Sequence, residues 1–257
     1  MSERVEFSVG DVSAISQGEG EVVLLISGLG GEGHFWLPVM RHLSDVYRVI
    51  SFDHPGVARS RSRGVQRIDE ICRVALDILD QEGVGRAHVV GHSTGSLVAQ
   101  ALGLDQPERI QSLVLSSGWS RTDRRFRKLF ELRKQVLKDS GGQAYRTLGN
   151  LLAFPSALYS QFDFPPANFS DSQVEVMLAR IDMLLGYSRH DELGELNAPT
   201  LVVGAEDDWI VPFHHAEELA GAIGGARLET LNGGHFTPKT RPEAYATLLE
   251  SFFRGCA

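Results

Sequence analysis

The chain is 257 residues long, 42% hydrophobic and 23% charged, with a formal net charge of −8. That composition belongs to an ordinary globular protein with a sizeable core, and the acidic balance argues against nucleic acid or an anionic membrane as the main partner. No apolar signal core opens the chain and no run reaches the roughly 18 apolar residues of a membrane span, so a cytoplasmic protein acting on a small molecule, as monomer or homodimer, is expected.

Residues 3–17 alternate apolar and polar positions on either side of Gly10-Asp11, which predicts a β-hairpin. Val22 to Ile26 is a continuous apolar run, the mark of a strand covered on both faces of a mostly parallel sheet. It leads into Ser27-Gly28-Leu29-Gly30-Gly31-Glu32-Gly33, a helical stretch over 36–43, and a second buried strand over 47–52 that ends at Asp53. Gly28-x-Gly30-x-x-Gly33 with Asp53 about twenty residues on also fits a dinucleotide-binding fingerprint, in which backbone N–H groups meet a pyrophosphate and the carboxylate a ribose hydroxyl. Against an NAD(P)-dependent oxidoreductase stand the two strands that precede the loop. The bulky His34-Phe35-Trp36 also falls where helix and strand must pack closely. Asp53, His54 and Arg59 read as a charged turn network.

Residues 68–81 place Ile71, Ala75, Ile78 and Leu79 on one helical face. The two cysteines, Cys72 and Cys256, offer neither a disulfide framework nor a metal spacing, and no metal or cofactor is expected. Residues 87–90 form a further strand that runs into Gly91-His92-Ser93-Thr94-Gly95 and a helix over 96–105. A serine between glycines at a strand-to-helix turn has the form of a nucleophile elbow. The turn strains the serine backbone, its neighbours must be almost free of side chain, and the helix that follows turns its first N–H groups toward any anion formed there. Residues 110–115 are another buried strand, ending in Ser116-Ser117-Gly118-Trp119.

From residue 120 to about 190 helical patterns occur without a strand, over 124–138, 143–152 and 172–185. An all-helical stretch inside an alternating chain predicts a lid over the active face. Its basic cluster includes Arg121, Arg124, Arg125, Arg127, Lys128, Arg133, Lys134 and Lys138, and one or two of these turned inward would hold a substrate carboxylate. Trp119 and Phe126 are expected in pocket wall or core. Alternation then resumes with a strand over 199–203, a helix over 212–223, a strand over 226–231 and an amphipathic helix over 242–253.

A serine nucleophile needs a base and a group that orients the base. Both follow resumed strands, Asp207-Asp208 after one and Asn232-Gly233-Gly234-His235 after the next. Ser93 is therefore expected as nucleophile and His235 as general base and then acid. The N–H groups of Leu29 and Thr94 are expected to form the oxyanion hole.

With these residues placed, the chain resembles an α/β-hydrolase along its whole length. Ser27-Gly28-Leu29-Gly30-Gly31 with Phe35-Trp36-Leu37-Pro38, then Gly118-Trp119, the Arg-rich helix and Ser140-Gly141-Gly142-Gln143-Ala144-Tyr145, are similar to the aminoacrylate (carbamate) hydrolase group of pyrimidine degradation. Enol-lactonases of aromatic catabolism resemble it through the core only. The resemblance implies an α/β-hydrolase fold: a mostly parallel eight-stranded sheet flanked by helices, with core segments 1–119 and 194–257 and a helical lid, 120–193, inserted after strand 6. In that family the acid usually stands four residues before the proline that opens the next helix, which favours Asp208 before Pro212 and leaves Asp207 as the alternative. The resemblance further implies C–N hydrolysis of a small acidic enamine or carbamate, such as 3-aminoacrylate to malonic semialdehyde and ammonia, with Trp119, Arg121 and Arg124 at the substrate. A complete Ser, Asp and His set suits an ester or lactone equally, so a carboxylesterase or enol-lactonase is the alternative.

Overall fold

A computed structural model describes residues 3–61 and 66–256. The strands are β1 (Arg4–Val9), β2 (Val12–Gln17), β3 (Val22–Ile26), β4 (Arg48–Phe52), β5 (Ala87–His92), β6 (Ile110–Ser116), β7 (Thr200–Gly204) and β8 (Arg227–Thr230). They form one sheet in the order β1-β2-β4-β3-β5-β6-β7-β8. The expected hairpin pairs Arg4 with Gln17 and Val9 with Val12, and β2 then joins β4 antiparallel. All remaining pairs are parallel.

The helices are α1 (Leu37–Leu43), α2 (Ile68–Gln81), α3 (Thr94–Asp105), α4 (Arg124–Ala153), α5 (Ser156–Tyr159), α6 (Asp171–Gly186), α7 (His214–Ala222), α8 (Thr237–Thr240) and α9 (Pro242–Arg254). Successive side chains of a strand point to opposite faces, so a strand covered on both sides must be apolar throughout. In β3, Leu24 and Ile26 join a core with α2, α3 and α7, while Val23 and Leu25 join the opposite core with α1 and α9.

Between β6 and β7 the chain is helical, as expected. Where the sequence predicts two helices, α4 runs through both, with a kink at Gly141 (φ 77°, ψ −179°). Asp123 caps its start by accepting the Phe126 N–H at 2.6 Å. Ser170 and Gln173 close a reciprocal capping box on α6. Toward the core, α4 buries Phe126, Phe130, Arg133 and Leu137, and α6 buries Arg180, Ile181 and Leu184. Among the described residues no helix is long and apolar enough to cross a membrane.

The strand order creates the crevice. After β3 the chain steps to one side to form β4, and β5 then returns to the other side of β3. Loops leaving the carboxyl ends of β3 and β5 therefore diverge, and ligands of open α/β sheets bind at such a reversal. The glycine-rich loop 27–33 and the Ser93 turn are the two loops concerned.

Candidate active site

Ser93 stands at the tip of the turn between β5 and α3 with φ 54° and ψ −120°, a conformation that side-chain-bearing residues rarely adopt. The turn is possible because its flanks are bare. A Cβ on Gly91 would lie 2.2 Å from the Gly95 carbonyl oxygen, and one on Gly95 would lie 2.2 Å from that of Ile26. The Ser93 N–H donates to the Ser116 carbonyl at 2.8 Å, which fixes the elbow to the neighbouring strand.

The histidine expected after β8 reaches this serine. His235 Nε2 lies 3.0 Å from Ser93 Oγ, and His235 Nδ1 lies 2.7 Å from Asp208 Oδ2. All three are buried, at 6%, 3% and 4% exposure for Ser93, His235 and Asp208. A carboxylate at Nδ1 selects the tautomer with its proton there, so Nε2 is free to accept from the serine hydroxyl. Asp208 is itself held, since its Oδ1 accepts the N–H groups of Ile210 and Val211, both at 2.8 Å. Asp207 points elsewhere. Its Oδ1 accepts the N–H groups of Gly233 and Gly234 at 3.0 and 2.9 Å, so it braces the backbone of the histidine loop and does not meet the imidazole.

The glycine loop lies against the serine. A Cβ on Gly28 would come within 3.0 Å of Ser93 Cβ and 3.5 Å of its Oγ, so a larger residue there would crowd the serine. The Gly31 N–H donates to the Gly28 carbonyl at 2.9 Å, which closes a turn around Leu29 and leaves the Leu29 N–H outside that hydrogen bond. Thr94 is the fully buried first residue of α3. The dinucleotide reading does not fit these contacts. Asp53 Oδ1 accepts the Gly33 N–H at 2.7 Å and its Oδ2 accepts from Arg59 Nε at 3.0 Å, so the carboxylate that would meet a ribose clasps its own loop. A Cβ at Gly33 would collide with the Phe52 backbone. The fingerprint spacing is therefore the spacing of this clasp.

Two of the expected substrate arginines are not brought to the serine. Arg121 is exposed and paired with Glu218 at 2.6 Å, and Arg124 is exposed on the first turn of α4. For Arg124 the reason is helical phase: the inward face of α4 carries residues 126, 130, 133 and 137, and position 124 lies about 200° away from 126. Trp119 is fully buried in the core, its ring 4.7 Å from that of Phe126.

The arginines that do turn inward are Arg133 and Arg180, the two buried ones among the described residues. Arg180 donates to the carbonyls of Leu29 (2.7 Å) and Gly28 (3.3 Å), to Gln66 Oε1 (3.0 Å) and to His54 Nδ1 (2.8 Å). Burial lowers its pKa to about 10. Arg133 donates to the Tyr145 hydroxyl at 3.0 Å and lies over that ring and the Phe130 ring, while its Nε has no partner among the described residues. Neither guanidinium meets a carboxylate of the described residues. A second link from the helical insertion runs to the histidine, whose N–H donates to the Ala153 carbonyl at 2.9 Å. The sequence signal for Arg180 was an arginine in phase with Leu184 on the apolar face of α6.

Two histidines beside the site give a stability prediction. His54 and His92 are 0% and 1% exposed, and burial holds both well below the ordinary value of 6.5. Arg180 reinforces this for His54, as do His235 and Lys239 for His92. As pH falls below 6.5 the unfolded chain takes up protons that the native state refuses, so stability is lost. Both histidines act in the same direction, so the protein is expected to be less stable at pH 5 than at pH 6. The urea midpoint measures this; a midpoint constant over that range would show that both rings charge in the folded state.

A serine elbow on β5 with acid and histidine after β7 and β8 defines the α/β-hydrolase class. The chain belongs to that family: the family model described as alpha/beta hydrolase fold matches residues 21–242, and the protein is a hydrolase. More narrowly, it is 34% identical over 245 residues to a protein of Azorhizobium caulinodans provisionally named carbamate hydrolase RutD, with 91% of this chain and 92% of that one covered. A Caulobacter vibrioides protein with the same provisional name is 34% identical over 251 residues, 91% of each chain. Among solved structures, the enol-lactonase from Burkholderia xenovorans LB400 matches with a TM-score of 0.83 at 20% identity, over 97% of this chain and 100% of that one, a likeness of fold.

Proposed function

We propose that the protein is a serine hydrolase of a small carboxylate-bearing substrate, cleaving a C–N bond of the carbamate or 3-aminoacrylate type. The observation that carries the reading is the buried chain of contacts from Ser93 Oγ through His235 to Asp208, at 3.0 and 2.7 Å. On an acyl carbon, Ser93 Oγ attacks as its proton passes to His235 Nε2, and the oxyanion is received by the N–H groups of Leu29 and Thr94. Collapse expels the leaving nitrogen with that proton, and water activated by the same imidazole releases the product. For 3-aminoacrylate the overall balance is one water consumed, with malonic semialdehyde and ammonia formed. The stretch 120–193 acts as the lid, and the core on either side supplies the machinery.

The carboxylate reading rests on the buried guanidiniums. An uncompensated buried charge is expensive, and a substrate carboxylate is the natural counter-ion. Arg133, with an unpartnered Nε, is the residue assigned to it. Arg133→Met is expected to raise KM about 10- to 100-fold with kcat retained, the worth of a hydrogen bond to a charged group. Arg180 holds the loop that carries the oxyanion donor. Arg180→Met is expected to lower kcat about 10²- to 10³-fold, as loss of one such donor does; an unchanged kcat in a folded variant would remove Arg180 from the mechanism.

The complete triad favours a second reading, ester or lactone hydrolysis at the same serine. Ammonia release from freshly generated 3-aminoacrylate, measured against its spontaneous rate, decides. Acceleration supports C–N hydrolysis, whereas none, with turnover on an ester and lactone panel, replaces it by the second reading.

A further inference from the structure

Where the helical insertion joins the core, a second group of donor atoms converges. Asp123 uses Oδ1 to cap α4, and its Oδ2 faces the first turn of α7. There His214 Nε2 lies 3.1 Å and His215 Nε2 3.4 Å from that oxygen, and the donor atoms of all three residues lie within 4.8 Å of one another. Asp123 and His214 are 91 positions apart, so no sequence spacing announces the cluster.

His215 is the informative member. It is 1% exposed, yet neither ring nitrogen has a hydrogen-bond partner among the described residues, so its approach to Asp123 is close without being a hydrogen bond. Leaving a buried polar group unpaired costs about 1–3 kcal/mol. The ring packs 4.2 Å from that of His214 and edge-on to Phe126 at 5.9 Å, which accounts for its carbon edge and not for its nitrogens.

Two imidazoles and a carboxylate are the donors of a borderline divalent ion. With bonds of about 2.0–2.2 Å, a tetrahedral ion holds its donor atoms about 3.3–3.6 Å apart. The 3.1 and 3.4 Å separations need only small adjustment. We propose that Asp123, His214 and His215 form a binding site for a divalent transition-metal ion of the zinc class, which would fasten the start of the insertion to α7. The side chains of His214 and Asp123 are 52% and 38% exposed, which provides entry and a fourth position for water. Neighbouring cations are engaged elsewhere, Arg121 on Glu218 and Arg125 on the Trp209 carbonyl.

The test titrates Zn²⁺ into the metal-stripped full chain by calorimetry and Co²⁺ by visible absorption. One saturable equivalent and the d–d bands of four-coordinate Co²⁺ are expected. His214→Ala removes a half-exposed side chain, and Asp123→Asn retains a residue that caps helices well. Each is expected to weaken binding at least about 10-fold, the least that disturbing a metal's surroundings usually costs. The melting temperature of the wild type, and not of His214→Ala, is expected to rise with Zn²⁺. Absence of saturable binding up to millimolar ion would overturn the proposal, as would binding undiminished in His214→Ala, which would locate the ion elsewhere.

Discussion

Ser93→Ala is expected to lower kcat by about 10⁴- to 10⁶-fold on any substrate the protein turns over, with KM little changed. Removing one oxygen deletes the atom 3.0 Å from His235 Nε2 and leaves both the imidazole and its carboxylate in place. What survives is binding and the oxyanion donors, which alone give about 10³- to 10⁴-fold over water. The result separates two chemistries. Loss of ester turnover together with loss of ammonia release assigns attack to Ser93 in both. Ammonia release that persists while ester turnover disappears assigns attack on the enamine to water activated by His235. Melting temperatures exclude the trivial explanation, because alanine keeps the Cβ and the same backbone. Ser93→Gly adds a counter-test: at φ 54° glycine relieves strain of about 1–3 kcal/mol, so this variant is expected to be inactive and more stable than the wild type.

The parts of this molecule legible from sequence are those governed by local pattern. The apolar run at 22–26 and the buried strand at 110–115 lie between two helical layers, and the helix at 68–81 is in phase with its own buried face. Ser93 was legible because it sits between glycines where a buried strand stops, and His235 because it follows the glycine pair 233–234 after a short strand. Position 208 is preferred to 207 only through the family resemblance, since both carboxylates occupy one loop and only the direction of each side chain distinguishes imidazole from backbone. The inward arginines were legible only in part: Arg133 stood in the basic cluster and Arg180 in phase with Leu184, but no local pattern singled either out. Which face of α4 turns inward depends on the insertion's docking, and the kink at Gly141 resets the phase midway. Arg180 meets Leu29 across 151 positions of sequence, a contact no local periodicity encodes.

Asp208→Asn is expected to lower kcat about 10⁴-fold without unfolding the protein. The size of the effect follows from which atom each contact fixes. Oδ1 is pinned by the N–H groups of Ile210 and Val211, so an asparagine here must keep its carbonyl oxygen toward them. Its NH₂ group is then the atom facing His235 Nδ1, across what was a 2.7 Å contact. A donor at that position forces Nδ1 to accept, which moves the ring proton to Nε2, where it meets the serine hydroxyl. The imidazole can then no longer take the Ser93 proton. Asp207→Asn provides the control. Its Oδ1 accepts two glycine N–H groups, and an amide oxygen accepts them as well, so kcat is expected to stay within a few-fold of wild type. A reversed pair of results would make Asp207 the orienting acid. Asp208→Ala is the less informative change, because it also strands the two loop N–H groups at about 1–3 kcal/mol each and confounds tautomer with architecture.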